Sequence, residues 1–219
     1  MTRYTTYDYL KVNNDLDLDG AAAIAGDVTI AGDLTVTGAI AGAVETKNYS
    51  LGKPVVADVD RVVTSTNMKV GTYTVAAQPD VPRNITVTVT AGDTADTMGT
   101  ITIVGTDSAD AVISETITPE AGETVAGEKA FKSVTSVTGA GWVIDAAEGT
   151  NDTITVGIGT VLGLPLALSD ADHIVFGTLD YVMAAHNPEA DGTLSGTTVD
   201  LSSGTYDGSK TARVFVTGG

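Results

Sequence analysis

Asn84-Ile85-Thr86-Val87-Thr88-Val89-Thr90 alternates polar and apolar residues at every step. A period of two places Ile85, Val87 and Val89 on one face of a strand and the threonines on the other. Their β-branched side chains favour the pleated, half-buried surface of a sheet. Working outward, Thr100-Ile101-Thr102-Ile103 and Thr153-Ile154-Thr155-Val156-Gly157-Ile158 repeat the alternation. Further strands are predicted near Tyr73–Val75, Val112–Thr118, Phe131–Val137, Trp142–Ile144, His173–Phe176 and Arg213–Val216. Turn residues separate them at Gly92-Asp93, Gly105-Thr106-Asp107, Pro119-Glu120-Ala121-Gly122, Gly149-Thr150-Asn151-Asp152 and Asp207-Gly208. Short strands with turns every ~8–12 residues read as a sandwich or barrel. No long stripe of helical period exists, and Asp180–Ala185 is the best helical turn. The expectation is an all-β chain.

Composition narrows the function. Of 219 residues, 42% are hydrophobic, enough for a buried core. The absence of Cys excludes disulfide scaffolds, thiolate metal sites and a cysteine nucleophile. Eleven Lys and Arg against 28 Asp and Glu leave a net charge of -17. Such a surface repels phosphate backbones, so no nucleic-acid partner is expected. The N-terminus lacks the apolar core of an export signal, and no stretch approaches the ~20 apolar residues of a membrane span. A protein made in a cytoplasm and not inserted in a membrane is expected.

A second pattern lies near the N-terminus. Gly20, Gly26, Gly32 and Gly38 recur with a period of six. Apolar residues follow each glycine at the second and fourth places: Ala22 and Ile24, Val28 and Ile30, Leu34 and Val36, then Ile40. Backward, Asn14 takes the glycine place, with Leu16 and Leu18 in the apolar ones. Each copy is a short strand that cannot bury its own apolar face. A pair of ordinary hairpins is the plain alternative. Three chains winding about one axis would bury the stripe and leave the acidic edge in water. Residues 14–45 are therefore expected to form a trimeric β-helix or β-prism stalk. Its core would be Leu16, Leu18, Ile24, Val28, Ile30, Leu34, Val36 and Ile40.

Gly32-Asp33-Leu34-Thr35-Val36-Thr37-Gly38 resembles the repeats of bacteriophage fibre and spike shafts. Gln78-Pro79-Asp80-Val81-Pro82-Arg83-Asn84-Ile85-Thr86-Val87 is similar to segments of phage head-decoration and head-fibre proteins. So are Gly99–Asp107, Lys129–Thr135 and Leu162-Gly163-Leu164-Pro165. The resemblance implies a non-enzymatic homotrimer on the capsid surface of a virion, made in the host cytoplasm. Its partners would be two further copies and the major capsid protein, with no cofactor. The alternative is a tail fibre, spike or adhesin module that binds host or environmental glycans.

The rest of the chain is divided accordingly. Residues 1–13 hold Arg3, Tyr4, Tyr7 and Tyr9, at the only end that is not acid-dominated. Tyrosine anchors interfaces well, so a capsid-docking arm is expected. Residues 46–54 read as a linker, with Gly52 and Pro54 breaking regular structure. Residues 55–219 are expected to form a β-sandwich, with a split considered at 163–168.

Asp15-Leu16-Asp17-Leu18-Asp19-Gly20 matches the start of a calcium loop, but Gly26 stands where its bidentate glutamate belongs. A strand pointing three aspartates to water explains the spacing, and no metal site is assigned. Ser169, Asp170, Asp172 and His173 cluster in sequence without a nucleophile elbow, and His186 reads as a turn residue. Trp142, the only tryptophan, is expected in the core. No catalytic residue is assigned.

Overall fold

The computed structural model describes residues 46–90, 96–144, 151–166, 168, 174–180, 182–184, 187–189, 198–201 and 205–217. The expected docking arm and hexad stalk, with all their assigned residues, lie outside the described residues. So do Asp15, Asp17, Asp19, His173 and His186. The chain divides between Ala43 and Val44, and all the described residues fall in the second unit.

The chain is all-β, with no helix among the described residues and several antiparallel sheets, none closed. The strands are β1 (Thr46–Gly52), β2 (Asp58–Asn67), β3 (Gly71–Tyr73), β4 (Arg83–Thr90), β5 (Thr100–Thr106), β6 (Val112–Ile117) and β7 (Thr124–Phe131). They continue with β8 (Ser133–Ala140), β9 (Thr153–Gly163), β10 (Ile174–Leu179), β11 (Val182–Ala184), β12 (Asn187–Glu189), β13 (Thr198–Asp200) and β14 (Ala212–Thr217). One sheet runs β3-β8-β5-β6, and a second runs β12-β13-β9-β4-β7 with β2 also paired to β9. The third runs β1-β14-β10-β11.

Two cores result. In the first lobe, Ile85, Val87 and Val89 of β4 meet Ile101 and Ile103 of β5, Val137 of β8 and Ile154, Val156 and Ile158 of β9. These are the faces that the alternation assigned to the interior. Each such side chain contributes roughly 1.5–3 kcal/mol by leaving water. In the second lobe, Leu51 of β1 and Ala212, Val214 and Val216 of β14 pack with Leu179, Val199 and Leu201. Strand β9 belongs to both: Ile154, Val156 and Ile158 point into the first core, and Leu162 into the second. Its flank changes accordingly, from β2 at Thr153–Ile158 to β13 at Val161–Gly163.

Three expectations are corrected. Residues 46–54 were expected as a linker, but Thr46–Gly52 form β1, which pairs antiparallel with β14 from Thr46↔Thr217 to Gly52↔Ala212. Its ladder bonds come from the far end of the chain, so nothing local announces it. Asp180–Ala185 is no helical turn. Leu179 pairs with Val182 across Asp180, whose φ of 51° suits a tight hairpin. Trp142–Ile144 carries a single bridge, Thr97↔Val143, rather than a strand.

Candidate interaction surfaces

Where the two lobes meet, β4 opens with Arg83 and Asn84, both buried. Both neighbours of β4 are irregular there. On β9, Arg83 faces Leu162 but Ile85 faces Ile158, so Gly159–Val161 outrun the ladder. On β7, Asn84 faces Ala130 but Thr86 faces Ala126, so Gly127–Lys129 do the same. Bulges leave backbone groups without ladder partners, and buried ones must be satisfied another way. Arg83 supplies Nε (2.8 Å) and Nη2 to the carbonyl of Gly159. Asn84 accepts from the Val161 amide at 3.1 Å and donates to the Gly127 carbonyl at 3.1 Å. A Cβ on Gly159 would strike the Asn84 side chain, so the bulge needs glycine.

The remaining edge of the Arg83 guanidinium fastens the segment that joins β1 to β2. Nη1 donates to the Val55 carbonyl at 3.0 Å and to Asp80 Oδ1 at 2.9 Å. Asp80 Oδ2 takes the Val55 amide at 2.7 Å. The Gly208 amide donates to the Pro54 carbonyl at 2.9 Å. Above Arg83 lies the Tyr206 ring, 5.8 Å from the guanidinium carbon. Tyr206 Oη accepts from the Leu201 amide at 3.0 Å, and burial pushes its hydroxyl up to about 12. Arg83 thus ties the first lobe to the second through groups from four stretches of chain.

That anchored segment carries the first exposed apolar patch. Val56 is 60% exposed and Val59 52%, with exposed Ala57 between them. The cause lies in β2. Asp58 faces Ile158 and Val63 faces Val156, so Val59, Asp60 and Arg61 are thrown outward while Val62 turns into the core. The crossing is close: a Cβ on Gly157 would meet the backbone of Asp58 and Val59. Asp58 and Asp60 sit side by side at the rim. The side-chain hydrogen bond between them, then burial and the Asp58 charge, raise the Asp60 carboxyl above its ordinary value. Arg61 donates Nε to the Gln78 carbonyl at 2.8 Å.

The second patch lies at the end of the first lobe away from the junction. Val70 is 66% exposed, Val143 61% and Ile144 40%. Behind them Tyr73 Oη donates to the Lys69 carbonyl at 3.0 Å and accepts the Lys69 amide at 2.9 Å. Trp142 is only 6% exposed. It is a core residue, as the sequence predicts, and offers no open face for stacking a sugar.

Side chains also bridge the flanks of the first lobe. Gln78 pairs with both backbone groups of Val134 on β8, at 3.0 and 2.7 Å, as a neighbouring strand would. Glu115 on β6 accepts the amides of Glu128 (2.6 Å) and Lys129 (3.4 Å) on bulged β7. Burial raises the Glu115 carboxyl, against the lowering effect of those amides and of the Lys129 charge.

Among the described residues, no group of three or more His, Asp or Glu side chains is arranged to hold a metal ion, and no helix is long and apolar enough to cross a membrane. What sequence reasoning missed is the Arg83–Asn84 knot. Its signal was two strongly polar residues at the head of an alternating strand, directly after Pro82. Comparison with known protein families, characterised proteins and solved structures returned no match.

Proposed function

We propose that this chain is a non-enzymatic bacteriophage virion protein, a homotrimeric capsid decoration or head-fibre protein. The N-terminal arm, with Arg3, Tyr4, Tyr7 and Tyr9, docks on the major capsid protein. The hexad repeat locks three chains through Leu16, Leu18, Ile24, Val28, Ile30, Leu34, Val36 and Ile40. The two-lobed β domain is held outward on the capsid surface.

One observation carries the display arrangement. Strand β1, which continues from the N-terminal region, lies in the second lobe beside β14, with Thr46 opposite Thr217. Strands β2 to β8 all follow it and build the first lobe, whose far end bears Val70, Val143 and Ile144. A domain tethered through Thr46 therefore offers its first lobe for display. The acidic composition supports the same reading, because densely arrayed copies of one charge sign stay soluble and apart. Cryo-EM of the assembled particle tests it. The expected result is three-fold density rooted at the shell by the N-terminus, with two β lobes beyond. Density rooted through the β domain, or particles without this chain, would overturn it.

A further inference from the structure

We propose that the segment Lys53–Asp60 is a contact between copies of this chain. Lys53 and the exposed valines of one copy would meet Asp58, Val59 and Asp60 of the next around the three-fold axis. This deepens the trimer proposed above and rests on it.

Three observations point to a second copy as the occupant. First, the segment carries both charge signs around exposed apolar side chains. Lys53 is exposed and makes no ion pair among the described residues. Asp58 and Asp60 follow Val56 in the chain and crowd each other, with the Asp60 amide donating to Asp58 Oδ1 at 3.3 Å. A cation from a neighbour would relieve that crowding. Around a three-fold axis every contact is heterologous, so a positive flank on each copy meets a negative flank on the next. Second, with 28 carboxylates against 11 cationic side chains, an unlike-charge contact between copies must draw on one of few cations, and Lys53 is one that is exposed and in no ion pair among the described residues. Third, the segment is already ordered. Pro54 and Val55 are held by Gly208, Asp80 and Arg83, so little conformational freedom is lost on association.

Size sets the limits. Two valines and an alanine fall far short of the ~800 Å² per partner of a standard stable interface. The segment cannot hold free copies together. With the stalk already joining the chains, the contact becomes intramolecular and profits from a high effective concentration.

Zero-length carbodiimide coupling of the full chain tests this without altering it, since it joins amines only to touching carboxylates. Light and heavy isotope-labelled chains are mixed by unfolding and refolding, coupled, digested and analysed by mass spectrometry. Native mass is recorded beforehand. The expected result is a Lys53–Asp58 or Lys53–Asp60 amide linking light to heavy peptides, with covalent dimers and trimers on denaturing gels. A trimeric native mass with no mixed Lys53 link overturns this contact and leaves the trimer standing. A single-copy native mass overturns both.

Discussion

The two lobes share antiparallel strands and one continuous strand, β9, but they draw on the chain differently. The first lobe takes β2 to β8 in order and closes with the first half of β9. The second collects β1 from the start of the unit, β14 from its end, and short strands from between. Strict Ile/Val/Thr alternation is buried in the first. In the second, a strand such as Thr46–Gly52 has only Leu51 buried, and Lys47, aligned with core residue Val216, stays exposed. Between them sits Arg83, which shares its donors among both lobes and the connecting segment.

The largest expected effect comes from breaking that junction. Arg83→Met strands Asp80 and the carbonyls of Gly159 and Val55, and should cost about 3–5 kcal/mol in chemical denaturation. A loss under about 1 kcal/mol would mean the knot is dispensable.

Next come the cores themselves. Ile103→Ala and Leu201→Ala each remove a fully buried side chain and should cost about 2–5 kcal/mol. Only Ile103→Ala should strongly shift the transition seen by Trp142 fluorescence, because that residue lies in the first core. Equal shifts from both variants would merge the two cores into one.

Acid should separate the lobes in opposite directions. Glu115, in the first, has a carboxyl raised by burial, so the folded form binds its proton more tightly than the unfolded chain. Its contribution is complete below the ordinary glutamate value and is lost as pH rises through the raised one. Asp207, in the second, is held well below the ordinary aspartate range by the Ser209 hydroxyl, then by the Ser209 and Lys210 amides. Its contribution is complete above that range and is lost as pH falls. Between about pH 6 and 3, Glu115→Gln should remove an acid-side gain and Asp207→Asn an acid-side loss. Unfolding curves taken across that interval check both.

The smallest effect is expected at Lys132, whose 2.7 Å pair with Asp110 is open to water on both sides. Lys132→Ala should change stability by less than about 1 kcal/mol in the same denaturation experiment.

How much was legible follows the same division. Ile85, Val87, Val89, Ile101, Ile103, Ile154, Val156 and Ile158 could all be placed inside from a period of two, because each of these strands alternates strictly along its own length. Strand β1 was hidden because its partner lies across the whole unit, and its own residues look like a loop. The shift of β9 from one core to the other was only hinted at by Gly163-Leu164-Pro165. The bulges that expose Val59 and engage Arg83 depend on register, which no single strand declares.

In the proposed trimer, the glycine-punctuated hexads gain an interior only from two sister chains. Native mass spectrometry of the full chain tests it most directly. Three copies are expected for the natural sequence, and one for a variant carrying Val28→Asp and Leu34→Asp. A single copy in both cases would contradict the claim.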